Sequence, residues 1–234
     1  WQRGVLVFTA SDLQAAWTTF QLCLSTSLIL LLIGLPLAWW LTYSRSRWTV
    51  VVESIVTLPL VLPPTVLGFY LLLALGPNGV VGATVEAMGL RHLAFSFPGI
   101  LIGSVLFSLP FAVQPLQDGF RSIGRVPLEI AASLGAGPLD RFFHVGLPLI
   151  RQSLFTAWVL SFAHTLGEFG VVLMIGGNLA GQTQVLSIVI YDAVEALDFA
   201  RAHRLSLALL VVSFLLLLAL GIWRRRQRGL WPTC

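Results

Sequence analysis

The chain alternates between long apolar runs and short polar breaks. Apolar residues dominate roughly 15–43, 50–75, 97–117, 152–175 and 205–223. A bilayer's hydrocarbon core is about 30 Å thick, and a helix needs about 20 apolar residues to cross it. Each run therefore predicts a spanning helix. Leu205–Trp223 contains no charged residue at all. The expected fold is an all-α membrane protein, with five transmembrane helices bundled into a single domain over 1–234.

The breaks have their own signals. Ser11-Asp12-Leu13-Gln14 reads as a capping box, with Ser11 at the N-cap and Gln14 three positions later. Arg45 and Arg47 stop the first run, in which Pro36 lies near the end. The second run holds Pro59, Pro63 and Pro64, each of which removes a backbone donor, so its helix must break or kink. Broken backbone at membrane depth survives only where it is buried in protein or lines a wet cavity. Pro63, Pro64 and Thr65 are thus either a packed kink or part of a pathway. Gly76-Pro77-Asn78-Gly79 is a turn signal, and 77–94 predicts a loop with a short helix around Thr84–Met88. Pro110 and Pro115 fall in the third run. Gly176-Gly177-Asn178 ends the fourth. Residues 178–203 are amphipathic and carry Asp192, Glu195 and Asp198.

Composition reinforces the pattern. Of the 234 residues, 57% are hydrophobic and only 10% charged, where a soluble domain carries about 25% charged residues. So few charges cannot cover a water-facing surface, and lipid is the expected solvent. The two cysteines, Cys23 in an apolar run and Cys234 at the terminus, offer no disulfide framework and no metal spacing. The N-terminal residues are mixed, and a cleavable leader is not expected.

All fourteen basic residues are Arg. They sit between apolar runs rather than along one face, which fits membrane orientation better than nucleic acid. Five spans put the termini on opposite sides. With the N-terminus outside, the inner side collects Arg45, Arg47, Arg121, Arg125, Arg141, Arg151, Arg224, Arg225, Arg226 and Arg228. The outer side collects Arg3, Arg91, Arg201 and Arg204. The positive-inside rule then predicts an outside N-terminus and a cytoplasmic C-terminus.

The same count places the polar stretch 118–150, between the third and fourth runs, in the cytoplasm. A connector needs only a few residues, and this one has structure of its own. Glu129–Leu134 is helix-forming, Gly135 suits a sharp turn, and Pro138 fits the first turn of a second short helix. Ala131, Ala132 and Gly135 permit close approach by another protein, and Phe142 and Phe143 offer an apolar contact.

Glu129, Ala131, Gly135, then nine residues, Val145, one residue and Leu147-Pro148 resemble the signature loop of binding-protein-dependent ABC importer permeases. That signature is Glu-Ala-Ala, three residues, Gly, nine residues, Ile, one residue, Leu-Pro. Ile130 replaces its first Ala and Val145 its Ile, and the spacing is kept. The resemblance covers about residues 15–223. Leu58–Pro64, Ser133–Gly137, Thr165-Leu166-Gly167-Glu168-Phe169-Gly170, Gly176-Gly177-Asn178, Gln182–Ile188 and Ile190-Tyr191-Asp192 resemble the permease subunits of molybdate importers. Sulfate and tungstate permeases share the general layout.

The resemblance implies coupling helices that dock into a separate cytoplasmic ATPase. It assigns this role to Glu129, Ala131, Ala132, Gly135, Ala136, Val145, Leu147 and Pro148. Glu129, Ala131 and Gly135 would shape the docking turn, and Leu147-Pro148 would seat the fourth span. It further implies a homodimer with ten spans around a central path, two ATPase subunits carrying ATP and magnesium, and an extracytoplasmic oxyanion-binding protein. The chain would be a multi-pass protein of the cytoplasmic membrane, surrounded by lipid. It would itself be a translocating subunit, not an enzyme, and hold no cofactor. In keeping with this, the chain lacks a Gly-x-x-x-x-Gly-Lys-Ser/Thr loop and has no Lys. The competing class is a self-sufficient secondary anion transporter, which would predict an internal inverted repeat.

Within the runs the polar residues are few. No Arg falls inside a run, which argues against a tight anion site at membrane depth. Glu168, seventeen residues past Arg151, would stand about 25 Å along a continuous helix. Intramembrane carboxylates are functional candidates, but this one would repel a dianion. A structural or gating role is expected, with the carboxylate paired to a loop Arg or to backbone amides near Gly167 and Gly170. His164 is expected to be packed. Ser161 and Thr165, four apart on one helix face, either line a path or tie helices together. Asn178 completes the pathway and gate candidates.

Overall fold

The structure is a computed structural model and describes residues 8–89 and 91–228. Arg3 and Cys234 lie outside the described residues. Helix α1 (Ala10–Tyr43) is capped by Thr9, whose hydroxyl accepts from the Asp12 amide while the Thr9 amide donates to the Asp12 carboxylate. The expected box at Ser11 and Gln14 is therefore displaced by two residues. The reason is tertiary: Arg201 grips Asp12 at 2.6 Å and holds it in the N3 position.

The second run is two helices. α2 (Trp48–Thr57) passes through a 3₁₀ turn at Leu58–Leu60, and the chain re-enters helix as α3 (Pro64–Leu75). The prolines break the helix as the missing amides require. α4 (Val80–Ala87) starts earlier than the expected Thr84. α5 (Phe97–Ile123) contains Pro110 and Pro115 without breaking and runs beyond the expected end at 117, carrying Asp118 and Arg121 on its last turns. Gly124, at φ +65°, stops it. The polar insert thus begins at 124 rather than 118.

That insert holds α6 (Val126–Ser133), α7 (Pro138–Asp140), a π-helical segment (Arg141–Gly146) and α8 (Leu147–Leu149). α9 (Arg151–Leu166) follows, then a break at 167–169, then α10 (Gly170–Gly176). The expected continuous helix over 152–175 is therefore two pieces, because Gly167 ends α9 and Gly170 begins α10. α11 (Leu186–Glu195) and α12 (Phe199–Arg228) complete the chain. The amphipathic stretch 178–203 divides between α11, the start of α12 and their linkers.

Among the described residues, four helical stretches are long and apolar enough to cross a membrane: Ala10–Tyr43, Pro64–Ala87, Phe97–Ile123 and Phe199–Arg225. A fifth forms if Pro138–Leu149 and Arg151–Leu166, bent by 74°, count as one. Half of the most apolar window of α5 is buried against protein, but only 11% of that of α12. α5 is therefore the hub of the bundle, and α12 presents most of its surface outward.

Among the described residues the interior has two large apolar cores with a polar layer between them, and a smaller cluster of Ala15, Val189 and Leu205. One core gathers Leu22, Ile100, Val171, Ile175 and Ile188 around α10. The other gathers Ala38, Val113, Leu116, Phe120, Ile150 and Ala157 towards the insert. Between these positions, α1 contributes Thr26, α5 contributes Ser104 and Ser108, and the fourth run contributes Ser161, Thr165 and Glu168. All six are buried.

Candidate coupling surface and translocation site

The insert is held to the bundle by aromatic packing. Trp39 of α1 lies edge-on to Phe120 and Phe142, both with centroids at 5.2 Å, and to Tyr43 at 4.6 Å. The Tyr43 hydroxyl donates to the carbonyls of Phe120 and Gly124, and the Arg125 guanidinium donates to the Tyr43 carbonyl. Gly146 packs so tightly that a Cβ there would stand 2.7 Å from the Trp39 ring. Arg121 also binds Glu53 of α2 at 2.9 Å. This pair is half-exposed and contributes little to stability.

From this anchor the turn projects outward. The Ala136 amide donates to the Ala131 carbonyl, and the Gly135 amide to the Ala132 carbonyl. Gly135 sits at φ +89°, a left-handed conformation that costs an L-residue about 1–2 kcal/mol. The consequence is an exposed apolar face: Leu134 is 84% exposed, Leu139 73%, Ile130 57% and Phe143 54%. An apolar face of this kind marks an interaction surface. Phe142 and Phe143 divide the role expected of both. Phe142 faces inward and Phe143 outward.

The candidate coupling residues fall into two groups along the insert. Glu129, Ala132 and Gly135 are exposed, and Ala131 and Ala136 are half-buried at the base of the turn. Val145 and Leu147 are half-buried where the insert meets the bundle, and Pro148 follows Leu147 in the first turn of α8, beside the bend. Glu129 also lines a cavity of about 280 Å³ with Trp39, Tyr43, Arg125, Leu128, Pro138 and Arg141.

A second cavity, of about 590 Å³, forms where two broken helices face each other. Pro64, Thr65, Phe107, Ala163, His164, Gly167, Glu168, Phe169 and Gly170 line it. The proline break and the Glu168 break thus belong to one place. α3 and α10 approach closely there, since Cβ atoms at Gly170 and Gly68 would meet Pro64 at 2.9 Å and Met174 at 2.8 Å.

The other pathway candidates lie elsewhere. Ser161 and Thr165 are enclosed between helices. The Ser161 hydroxyl donates to Ala157 O, and Thr165 shares a 3.2 Å hydrogen bond with Ser108 of α5. Thr165 thus ties α9 to α5, whereas Ser161 bonds within α9 and is packed between helices. His164 is packed as expected, with Nδ1 2.9 Å from Ser108 Oγ and its ring stacked on Phe111 at 3.8 Å. Asn178, at φ +58°, donates to Asp192 and accepts from Gln184, so it organises the turn after α10.

Glu168 departs from expectation. It is 4% exposed, and neither carboxylate oxygen has a hydrogen-bond partner among the described residues. The expected pairing with a loop Arg or with amides near Gly167 and Gly170 does not form. Its backbone is engaged instead: the carbonyl accepts from Ser187 Oγ at 2.6 Å, and the amide donates to the Thr165 carbonyl at 3.2 Å.

Sequence reasoning missed Trp39, Tyr43 and Phe120 as the anchor of the insert, because their contacts are distant in sequence. It also missed Ser104 and Ser108. Their four-residue spacing beside Gly103 was the available signal, since small and hydroxylated residues at helical spacing mark packed membrane helices.

Residues 31–228 match the family described as binding-protein-dependent transport system inner membrane component. The chain is 51% identical to the molybdenum transport system permease protein ModB of Azotobacter vinelandii, covering 94% of this chain and 97% of that one. It is 32% identical to a probable sulfate transport system permease protein, cysT, of Helicosporidium sp. subsp. Simulium jonesii, covering 89% and 77%. Its fold resembles a chain in the crystal structure of a bacterial alginate ABC transporter in complex with alginate pentasaccharide-bound periplasmic protein. The TM-score is 0.73 at 21% identity, covering 93% of this chain and 80% of that one. With the family matched over most of its length, an exposed insert and broken membrane helices, this chain belongs to the inner-membrane components of binding-protein-dependent transport systems.

Proposed function

We propose that the chain is the membrane-spanning subunit of an ATP-driven molybdate importer. The observation that carries this reading is the exposed apolar turn at 130–143, set on a segment bent 74° from α9. Such a turn needs a partner, and it connects directly to a helix of the bundle core. A cytoplasmic ATPase pair docked there would push on α8 and α9 as it closes. Glu129, Ala131, Ala132, Gly135 and Ala136 form the docking turn, and Val145, Leu147 and Pro148 transmit its movement. Two copies of the chain enclose the path, and a soluble receptor delivers the anion from outside. The N-terminus lies outside and the C-terminus in the cytoplasm, following the Arg distribution.

Molybdate is favoured over sulfate by the similarity to a molybdenum permease, 51% identical against 32% for the sulfate relative. The absence of Arg from the apolar runs fits a weak transit path, with selection left to the receptor. Reconstitution with the ATPase and receptor tests the reading. ATP-dependent uptake of labelled molybdate is expected, with tungstate competing more strongly than sulfate. Disrupting the turn with Gly135→Pro should abolish uptake. Uptake that survives this change, or that proceeds without ATPase, would refute the proposal.

A further inference from the structure

The polar layer between the two apolar cores is mostly satisfied internally. Ser27, Ser108, Ser161 and Thr165 all make hydrogen bonds. Three side chains do not. Thr26 Oγ1, Ser104 Oγ and both Glu168 carboxylate oxygens are buried without a hydrogen-bond partner among the described residues. Thr26 and Ser104 are fully buried.

These atoms lie at one depth. Gly119 of α5 rests against Ser153, and Ser108 against Thr165. One turn further along the same antiparallel register, Ser104 comes level with Glu168. Ser104 stands close enough to interact with the carboxyl, yet outside hydrogen-bond geometry. α1 runs parallel to α5, with Gly34 against Ala112 and Tyr43 against Phe120, so Thr26 and Ser104, each eight residues earlier than Gly34 and Ala112, come level with one another.

An unpartnered carboxylate in a membrane interior is costly, and it must either take up a proton or have its charge compensated by a cation. The surroundings favour positive charge. α9 ends at this break, so the negative end of its dipole faces the site. Broken membrane helices elsewhere coordinate cations with half-helix C-terminal ends. One carboxylate with two hydroxyls is an all-oxygen donor set, which suits hard cations rather than soft metals. A single charge is balanced by a monovalent ion, whereas a divalent one would leave excess charge in the bilayer. The cavity at Pro64 and Thr65, which Glu168 itself lines, supplies a route. The other titratable group on that wall, His164, is engaged by Ser108.

We propose that Glu168, Ser104 and Thr26 form a binding site for one alkali-metal cation at the break between α9 and α10. The ion would lock the break against α1 and α5, and would screen Glu168 from an anion passing the neighbouring cavity.

The test is thermal unfolding of the full chain in lipid nanodiscs, titrated with sodium or potassium chloride against choline chloride at equal ionic strength. It is run at two pH values on either side of neutral. Sodium or potassium should raise the midpoint saturably, and choline should not. Glu168→Gln should remove the response, and Ser104→Ala should raise the half-saturating concentration roughly tenfold. A midpoint that follows pH but not alkali ions would overturn the proposal in favour of a bound proton. Insensitivity to both would make the carboxyl a dry structural group. If Glu168→Gln does not fold, a folded Ser104→Ala with unchanged half-saturation still overturns the site.

Discussion

Pro64 and Gly170 meet across the gap between two broken helices, and a Cβ on residue 170 would stand 2.9 Å from Pro64 Cβ. Each residue begins a helix, α3 and α10 respectively. The contact therefore joins the two places where backbone is irregular at membrane depth. Gly170→Val should overpack this contact and cost about 1–3 kcal/mol, read as a lower unfolding midpoint. At Gly167 a new Cβ would meet nothing nearer than the His164 carbonyl oxygen, at 3.9 Å. Gly167→Ala should therefore leave the midpoint nearly unchanged.

Gly135 gives a different kind of prediction. A Cβ added there would have no atom within 4 Å, and only the φ of +89° is restrictive. Gly135→Ala should cost about 1–2 kcal/mol in the turn alone. Asn, which tolerates the left-handed region better, should restore part of the loss. If the turn docks the ATPase, Gly135→Ala should weaken ATPase co-purification while the bundle's unfolding midpoint barely changes.

These two glycines also mark what sequence could and could not reveal. The turn at Gly135 was legible because its chemistry is local: a small-residue helix, a glycine stop and a proline restart within ten residues. The proline break before α3 was legible for the same reason. The break at Gly167 was not. Gly-Glu-Phe-Gly is compatible with a helix, and the break depends on α3 packing against α10. The end of α5 was misplaced because Asp118 and Arg121 read as the edge of a span, although the helix continues and Arg121 reaches Glu53. Pathway candidates chosen by residue type divided accordingly. Pro64, Thr65 and Glu168 share a cavity, whereas Ser161 and Thr165 serve the packing between helices.

Trp39 tests whether the insert depends on its aromatic anchor. Its ring touches Tyr43, Phe120 and Phe142 and fills the space above Gly146. Trp39→Ala should cost about 3–5 kcal/mol. Limited proteolysis should then cut the insert at 124–150 before any other segment. Trp39→Phe should retain most of the protection.

Ser108 links His164 and Thr165 to α5 through two hydrogen bonds, at 2.9 and 3.2 Å. Ser108→Ala should cost about 1–3 kcal/mol, since it leaves His164 Nδ1 without its partner, while Thr165 keeps its bond to the Ser161 carbonyl. Thr165→Val should cost less, because Ser108 keeps its bond to His164. The double variant should be less destabilised than the sum, with a coupling of about 0.5–3 kcal/mol, measured by thermal or denaturant unfolding in a single detergent.

Asp12 and Arg201 connect the start of α1 to the first turn of α12. The Arg201 side chain donates to Asp12 Oδ1 through both Nε at 3.0 Å and Nη2 at 2.6 Å. The carboxylate is 4% exposed and the guanidinium 30%, so each protects the other from the cost of burial unevenly. Removing the cation strands a buried charge, whereas removing the carboxylate leaves an Arg that can reach water. Arg201→Ala should therefore destabilise by about 3–5 kcal/mol, and Asp12→Asn by less. Asp12→Asn keeps an oxygen at the N3 position, so the α1 cap at Thr9 can persist. Arg201→Ala should instead release α12 from α1, because only 11% of the most apolar window of α12 is buried against the rest of the protein. A cysteine crosslink between the two helix starts that forms as efficiently in Arg201→Ala as in the unmodified chain would show that the ion pair is not what holds α12 in place.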